Sequence, residues 1–171
     1  MEPSKWVVRC ASVIADGGEV LDVACGRGRH TRFFLERGHR VVAVDRDLSG
    51  VSDLAGHPRL EMIEADLEDG SPFPLESRQF AGVVVTNYLY RPLMPDLVAA
   101  VKNDGVLIYE TYAAGNERFG RPTNPNFLLR PGELLEAVRG HMHVVAYEDV
   151  VTEEPRAAVQ RICAIGPERE R

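Results

Sequence analysis

The sequence predicts an α/β fold built on one mostly parallel sheet, and three observations carry that prediction. Short β-branched runs alternate with stretches of helical period along the chain, the pattern of successive β-α-β units. Runs such as Val41-Val42-Ala43-Val44 and Val83-Val84-Val85 are apolar at consecutive positions, so both faces of those strands must be covered. The 171 residues match a single domain of ordinary size, spanning 1–171.

Strands are expected at 19–24, 40–45, 60–65, 80–86 and 105–111, with two more at 143–150 and 157–165. An amphipathic helix over 4–15, within an N-terminal element of 1–16, precedes the sheet and offers Trp6, Val7, Cys10, Val13 and Ile14 as its apolar stripe. Trp6 reads as a packing residue of that helix. A second helix over 28–37 presents Phe33, Phe34 and Leu35 and stops at Gly38. Only a turn or two fits the glycine-containing stretch 47–58. A crossover helix over 93–102 has Leu93, Leu97, Val98 and Val101 at helical spacing, and another over 131–139 starts at Pro131. The stretch 112–130 has no period, carries Gly115, Gly120, Pro122 and Pro125, and reads as a long substrate loop. Residues 167–171 read as a frayed tail.

Composition narrows the partners. Hydrophobic residues make up 44% and charged residues 27%, as in ordinary globular domains. With 20 Lys and Arg against 26 Asp and Glu the net charge is −6, which disfavours generic phosphate-backbone binding and so nucleic acid as a partner. Cys10, Cys25 and Cys163 form no Cys-x-x-Cys pair and suit a reducing compartment. No apolar run reaches the ~18 to 20 residues of a membrane span, and the start lacks a basic, apolar leader. A cytoplasmic protein without membrane contact is expected; its oligomeric state is left open.

The chemistry-bearing residues gather where the first strands end. Leu21-Asp22-Val23-Ala24-Cys25-Gly26-Arg27-Gly28 passes from strand through glycines into a helix, and glycine permits a close backbone approach to a ligand. Asp45, at the end of the second strand, follows Gly26 by 19 residues, near the spacing of an acidic residue that grips ribose hydroxyls. Thr31 stands where a dinucleotide fingerprint places Gly or Ala. Asp22 would repel a pyrophosphate but suits a ligand bearing an ammonium and a sulfonium. Asp66 offers a third acidic corner, with a solvated turn residue as its alternative reading.

These segments resemble the class I S-adenosylmethionine-dependent methyltransferases. Residues 20–28 are similar to their glycine motif, Val42-Ala43-Val44-Asp45 to their acidic ribose motif and Ala65-Asp66-Leu67 to their adenine motif. The resemblance implies a doubly wound, Rossmann-like sheet of seven strands in the order 3-2-1-4-5-7-6, the last antiparallel, with helices on both faces. It implies S-adenosyl-L-methionine as cofactor, with Gly26 and Gly28 at the methionine end, Asp45 on the ribose, and Asp66 with the Leu67 amide at the adenine. Asp22, Ala24, Cys25, Arg27, His30, Thr31, Arg46 and Asn87 complete the expected cofactor set. Residues 25–31 and 127–134 are further similar to the small tellurite-resistance (TehB-like) group. The His-Arg pair of that group is absent from Val151 to Arg156, where only Arg156 stands, while Arg161 corresponds to an arginine of its final strand.

The acceptor side is sparser. Tyr88, Tyr90 and Arg91 follow the fourth strand and are candidates for substrate contact, with packing on the next helix as the alternative for the tyrosines. Asn116, Arg118, Arg121 and Arg130 hang on the long loop, where several arginines would suit an anionic small molecule. Arg121 joins Tyr88, Tyr90 and Arg91 as the catalytic candidates; no metal site is expected. His30, in the first turn of a helix beside a cation, is expected to stay neutral and to cap or pack. Methyl transfer to a small-molecule acceptor is the reading adopted. A nonenzymatic S-adenosylmethionine-binding subunit or sensor is the alternative, ahead of a nicotinamide-dependent oxidoreductase or an RNA methyltransferase.

Overall fold

The computed structural model describes residues 1–171. In chain order the elements are α1 (Lys5–Cys10), β1 (Val20–Val23), α2 (Arg29–Glu36), β2 (Val41–Asp45), β3 (Leu60–Glu64), β4 (Phe80–Thr86), α3 (Met94–Ala99), β5 (Val101–Tyr112), α4 (Glu133–Val138), β6 (His143–Glu153) and β7 (Arg156–Ile165). The seven strands form one sheet in the order β3-β2-β1-β4-β5-β7-β6. β1 to β5 pair in parallel, and β7 runs antiparallel to both β5 and β6. The chain reverses its direction of winding between β1 and β4, so the carboxyl ends of these neighbours border a crevice of the kind that takes ligands in open α/β sheets.

Two apolar layers explain the buried strands. On one face Trp6, Val7, Cys10 and Ile14 from α1 and its continuation, with Phe34 and Leu35 from α2, pack on Val20, Val41, Val84, Val106 and Ile108. On the other, Leu97 of α3 and Leu134 and Val138 of α4 pack on Leu21, Val42, Val83, Leu107 and Ile162. The helices are short, and burial of side chains such as Phe34, each contributing about 1.5–3 kcal/mol, holds them more than propensity does. Ser4 starts α1: its Oγ accepts from the N–H groups of Trp6 and Val7. α2 begins after Gly28 and ends before Gly38, both with positive φ.

Several boundaries differ from the sequence pattern. The apolar spacing of Val101 mimics a helix, but α3 stops at Ala99 and Val101 pairs with Phe80 as the start of β5, whose register shifts before Val106. Pro131 lies outside α4, because Gly132 at φ 75° turns the chain just before Glu133. Leu48–Leu54 forms a 3₁₀ turn. The link from β3 to β4 contains no helix, and Phe73 and Leu75 plug the core there instead. The tail is not frayed through residue 169: the Glu168 N–H donates to Asn103 O at 2.9 Å, and Arg169 donates to Val13 O at 2.6 Å.

The 112–130 loop is tied down rather than loose. Asn116 is buried and bridges Pro122 O and the Ala158 N–H, and Ala113 pairs with Leu129. No helix is long and apolar enough to cross a membrane.

Candidate active site

At the end of β1 the backbone bends through left-handed conformations at Ala24 (φ 53°), Gly26 (55°) and Gly28 (77°). A non-glycine residue held in that region at a topological switch point is a mark of a functional constraint. Val51 explains why Gly28 carries no side chain, since a Cβ there would overlap the Val51 methyl. Gly50 is equally confined: its Cβ would meet Gly26 O at 2.5 Å. The 3₁₀ turn after β2 is thus wedged against the glycine bend and fixes its shape.

Three carboxylates lie in or just past β1, β2 and β3, each prepared differently. Asp45 Oδ2 accepts the Gly26 N–H at 2.8 Å while Oδ1 accepts the Asp47 N–H at 3.0 Å, which aims the group at the bend and leaves further lone pairs. Asp66, exposed, holds the Glu68 N–H at 2.9 Å in a turn of its own. Asp22 is only 3% exposed and takes the Thr31 hydroxyl at 2.7 Å. Burial pushes its carboxyl up to about 6, against the pull of the Thr31 hydrogen bonds. Near neutral pH an ionised, under-compensated carboxylate therefore lies beneath the bend, a setting that favours a cation above it.

The neighbours of these carboxylates are less reactive than their types suggest. Cys25 packs on Ala43 and Val51, and burial with the charges of Asp22 and Asp45 pushes its thiol up to about 12. His30 is buried, and desolvation, with Arg29 nearby, lowers its ring to about 4. Its Nε2 accepts the Ser4 N–H at 3.0 Å, so the proton resides on Nδ1, 3.4 Å from Thr86 Oγ1. The ring is neutral and its lone pair is taken. Thr31, fully buried, sits behind Asp22 and steadies it; the expected direct contact of Thr31 with a ligand is replaced by this positioning role. Arg27, within the bend, and Arg46, just past β2, are exposed.

A family model described as a methyltransferase domain matches residues 20–104, about half of the chain and the half that contains this bend and all three carboxylates. The chain belongs to this methyltransferase family. Its cofactor is S-adenosylmethionine, and the buried anionic floor and pre-aimed Asp45 are chemically suited to a cationic nucleoside. A search of curated proteins found no match. Among solved structures, the chain is similar to 1,6-didemethyltoxoflavin-N1-methyltransferase from Burkholderia thailandensis, with 21% identity, 95% of this chain and 77% of that chain covered, and a TM-score of 0.71. TehB from Haemophilus influenzae gives 16% identity, 96% and 62% coverage, and a TM-score of 0.72. The [4+2]-cyclase SpnF gives 16%, 95% and 78%, and 0.68. At these identities the likeness shows the fold, which also serves chemistry other than methyl transfer.

The residues expected to meet an acceptor lie past β4 and β5. Asn87, with φ 52°, ends β4 and donates its N–H to Glu110 O at 3.0 Å. Together with Tyr112 it lines two cavities of about 340 and 680 Å³. The smaller is walled by Tyr88, Leu89, Pro122 and Phe127; the larger by the N-terminal segment, Arg29, Glu110, Arg161 and the β6–β7 hairpin. A roomier groove of about 780 Å³ lies elsewhere, between α3 and α4 and away from the glycine bend.

The expected arginine clamp is not assembled. Arg91 forms a two-pronged pair with Glu133 at 2.8 and 2.9 Å and also donates to Asn126 O and Leu128 O, pinning the loop to α4. Arg118 lies on the Phe119 ring, Arg130 faces Glu133, and Arg161 is held between Glu110 and Glu148. Arg121 is exposed and lines neither carboxyl-edge cavity. Tyr90 packs against the core, whereas Tyr88 faces the smaller cavity, with its phenol pushed up by burial and by Glu68 and so protonated at neutral pH.

Sequence reading missed Ser4, whose Oγ also donates to Glu110 Oε1 at 2.6 Å and joins the chain start to β5. A serine two residues ahead of Trp6 is a helix-start signal that could have flagged it. It also missed Tyr109, which donates to Tyr88 O at 2.7 Å and sets the β4 loop; no local pattern reveals that contact.

Proposed function

We propose that the protein transfers a methyl group from S-adenosylmethionine to a small-molecule acceptor entering at the carboxyl ends of β4 and β5. The observation that carries this reading is Asp45, aimed by the Gly26 N–H across a glycine bend that sits over the buried Asp22. Asp45 would hold the ribose hydroxyls, Asp66 and the Leu67 N–H the adenine, and the backbone from Ala24 to Gly28 the methionine end above Asp22. When bound, the cofactor supplies an electrophilic methyl on a sulfonium. The protein's own task is alignment: to hold the nucleophile ~3 to 3.5 Å from the methyl carbon, in line with the bond that breaks.

In support, Asn87 and Tyr112 line both carboxyl-edge cavities, and the larger one also reaches Arg29 at the start of α2. His30, with its lone pair occupied, and Tyr88, protonated, do not act as bases near neutral pH, and Cys25 does not act as a nucleophile. The neighbouring methyltransferase from Burkholderia thailandensis acts on 1,6-didemethyltoxoflavin, a small molecule, in keeping with this reading.

The test is incubation of the wild-type protein and Asp45→Asn with methyl-labelled S-adenosylmethionine and a metabolite extract. Label appearing in a small-molecule product with the wild type, and lost with the variant, is the expected result. Binding of the donor without any label transfer would favour a nonenzymatic subunit instead.

A further inference from the structure

The smaller carboxyl-edge cavity has a composition that selects among acceptors. Tyr88 from the β4 end, Tyr112 from the β5 end and Phe127 from the long loop present aromatic rings around about 340 Å³, a volume suited to a small ligand. The single charged side chain among its walls is Glu68, whose Oε2 lies 3.4 Å from the Tyr88 hydroxyl. No lysine or arginine lines it. The arginines nearby are engaged: Arg91 with Glu133 and two carbonyls, Arg161 with two glutamates. An anion in this cavity would meet a carboxylate and no cation, while a flat ring would find stacking faces and an N–H would find an acceptor.

We propose that the acceptor is a small aromatic amine or N–H heteroaromatic compound, bound among Tyr88, Tyr112 and Phe127 with its N–H donated to Glu68. This rests on the methyl-transfer reading above and names the substrate class of that same site. As the nitrogen attacks, a C–N bond forms and the methyl–sulfur bond breaks with its electron pair left on sulfur. The displaced N–H proton passes to the Glu68 carboxylate and from there to water, and S-adenosylhomocysteine is the second product. Asn87 and Tyr112 are shared between this ring pocket and the larger cavity.

Saturation-transfer NMR with 8-aminoquinoline and indole, against benzoate and selenite, tests the proposal in the presence of saturating S-adenosylhomocysteine. The amine and the N–H heterocycle should bind and the two anions should not. Glu68→Gln and Phe127→Ala should each weaken 8-aminoquinoline about tenfold, with S-adenosylhomocysteine affinity unchanged. Preference for either anion, failure of both aromatic probes at millimolar concentration, or unaltered binding in both variants would overturn it. So would displacement of the probes by S-adenosylhomocysteine, which would assign the pocket to the donor's own adenine. Absence of S-adenosylhomocysteine binding to the wild type would overturn the donor assignment and the proposal together.

Discussion

The two halves of the carboxyl edge are built by different means. Over β1 to β3 the site consists of backbone bends and short turns, with each carboxylate held by an N–H or hydroxyl within about twenty residues: Asp45 by Gly26, Asp66 by Glu68, Asp22 by Thr31. Past β4 it consists of pairs between residues far apart in sequence, such as Arg91 with Glu133, Arg161 with Glu110, and Ser4 with Glu110. The first half is a local device that any ligand-binding chain could repeat. The second is assembled only by the tertiary fold, which leaves it room to vary.

If the first half is the donor site, substitutions there should strike cofactor binding and spare the fold. The largest effect is expected from Asp45→Ala, which removes charge-assisted hydrogen bonds of about 1.5–3 kcal/mol each. S-adenosylhomocysteine affinity should drop about a hundredfold in calorimetry, with little change in melting temperature.

Asp22→Asn should separate function from stability. Because the folded carboxyl titrates near 6 while the unfolded one titrates near 4, the contribution of this group to stability is full below about pH 4 and is lost as pH rises through 6. The ligand-free variant should therefore melt about 5 °C higher than wild type at pH 8 and match it at pH 4. Its affinity for S-adenosylmethionine should fall about tenfold at pH 8. In the wild type, that affinity should weaken as pH drops below 6 and the carboxylate is neutralised.

The second half should respond in the opposite sense. Arg91→Ala frees the loop from α4 and leaves Glu133 without its partner, so thermal stability should decline by about 1–3 kcal/mol while S-adenosylhomocysteine affinity holds. Equal losses of both would contradict the division between the halves. The smallest effect concerns Cys25: with its thiol raised to about 12, iodoacetamide at pH 7.5 should leave it unmodified in the folded protein and label it in urea.

The same contrast explains what the sequence made legible. The strand positions could be read because apolar runs are local patterns, whereas their order in the sheet followed from the resemblance to class I methyltransferases. The helix ends at Ala99 and Glu133 were misplaced because Val101 fits both a helical stripe and a strand, and because Gly132 interrupts what Pro131 appears to begin. The arginines of the long loop suggested an anion clamp, since composition shows charges but not their partners. Asn116 likewise reads as a loop polar residue, yet it is a buried anchor satisfied by Pro122 and Ala158. Thr31, where a dinucleotide fingerprint places Gly or Ala, donates its hydroxyl to Asp22, a contact no local pattern reveals.

The central claim is that the bend between β1 and α2, with Asp22 below and Asp45 beside it, binds the donor nucleoside. Isothermal titration of S-adenosylhomocysteine into wild type and Asp45→Asn tests it most directly. The account predicts a single saturable site in the wild type and a loss of at least tenfold in the variant. No heat in the folded wild type, or equal affinity in the two proteins, would contradict it.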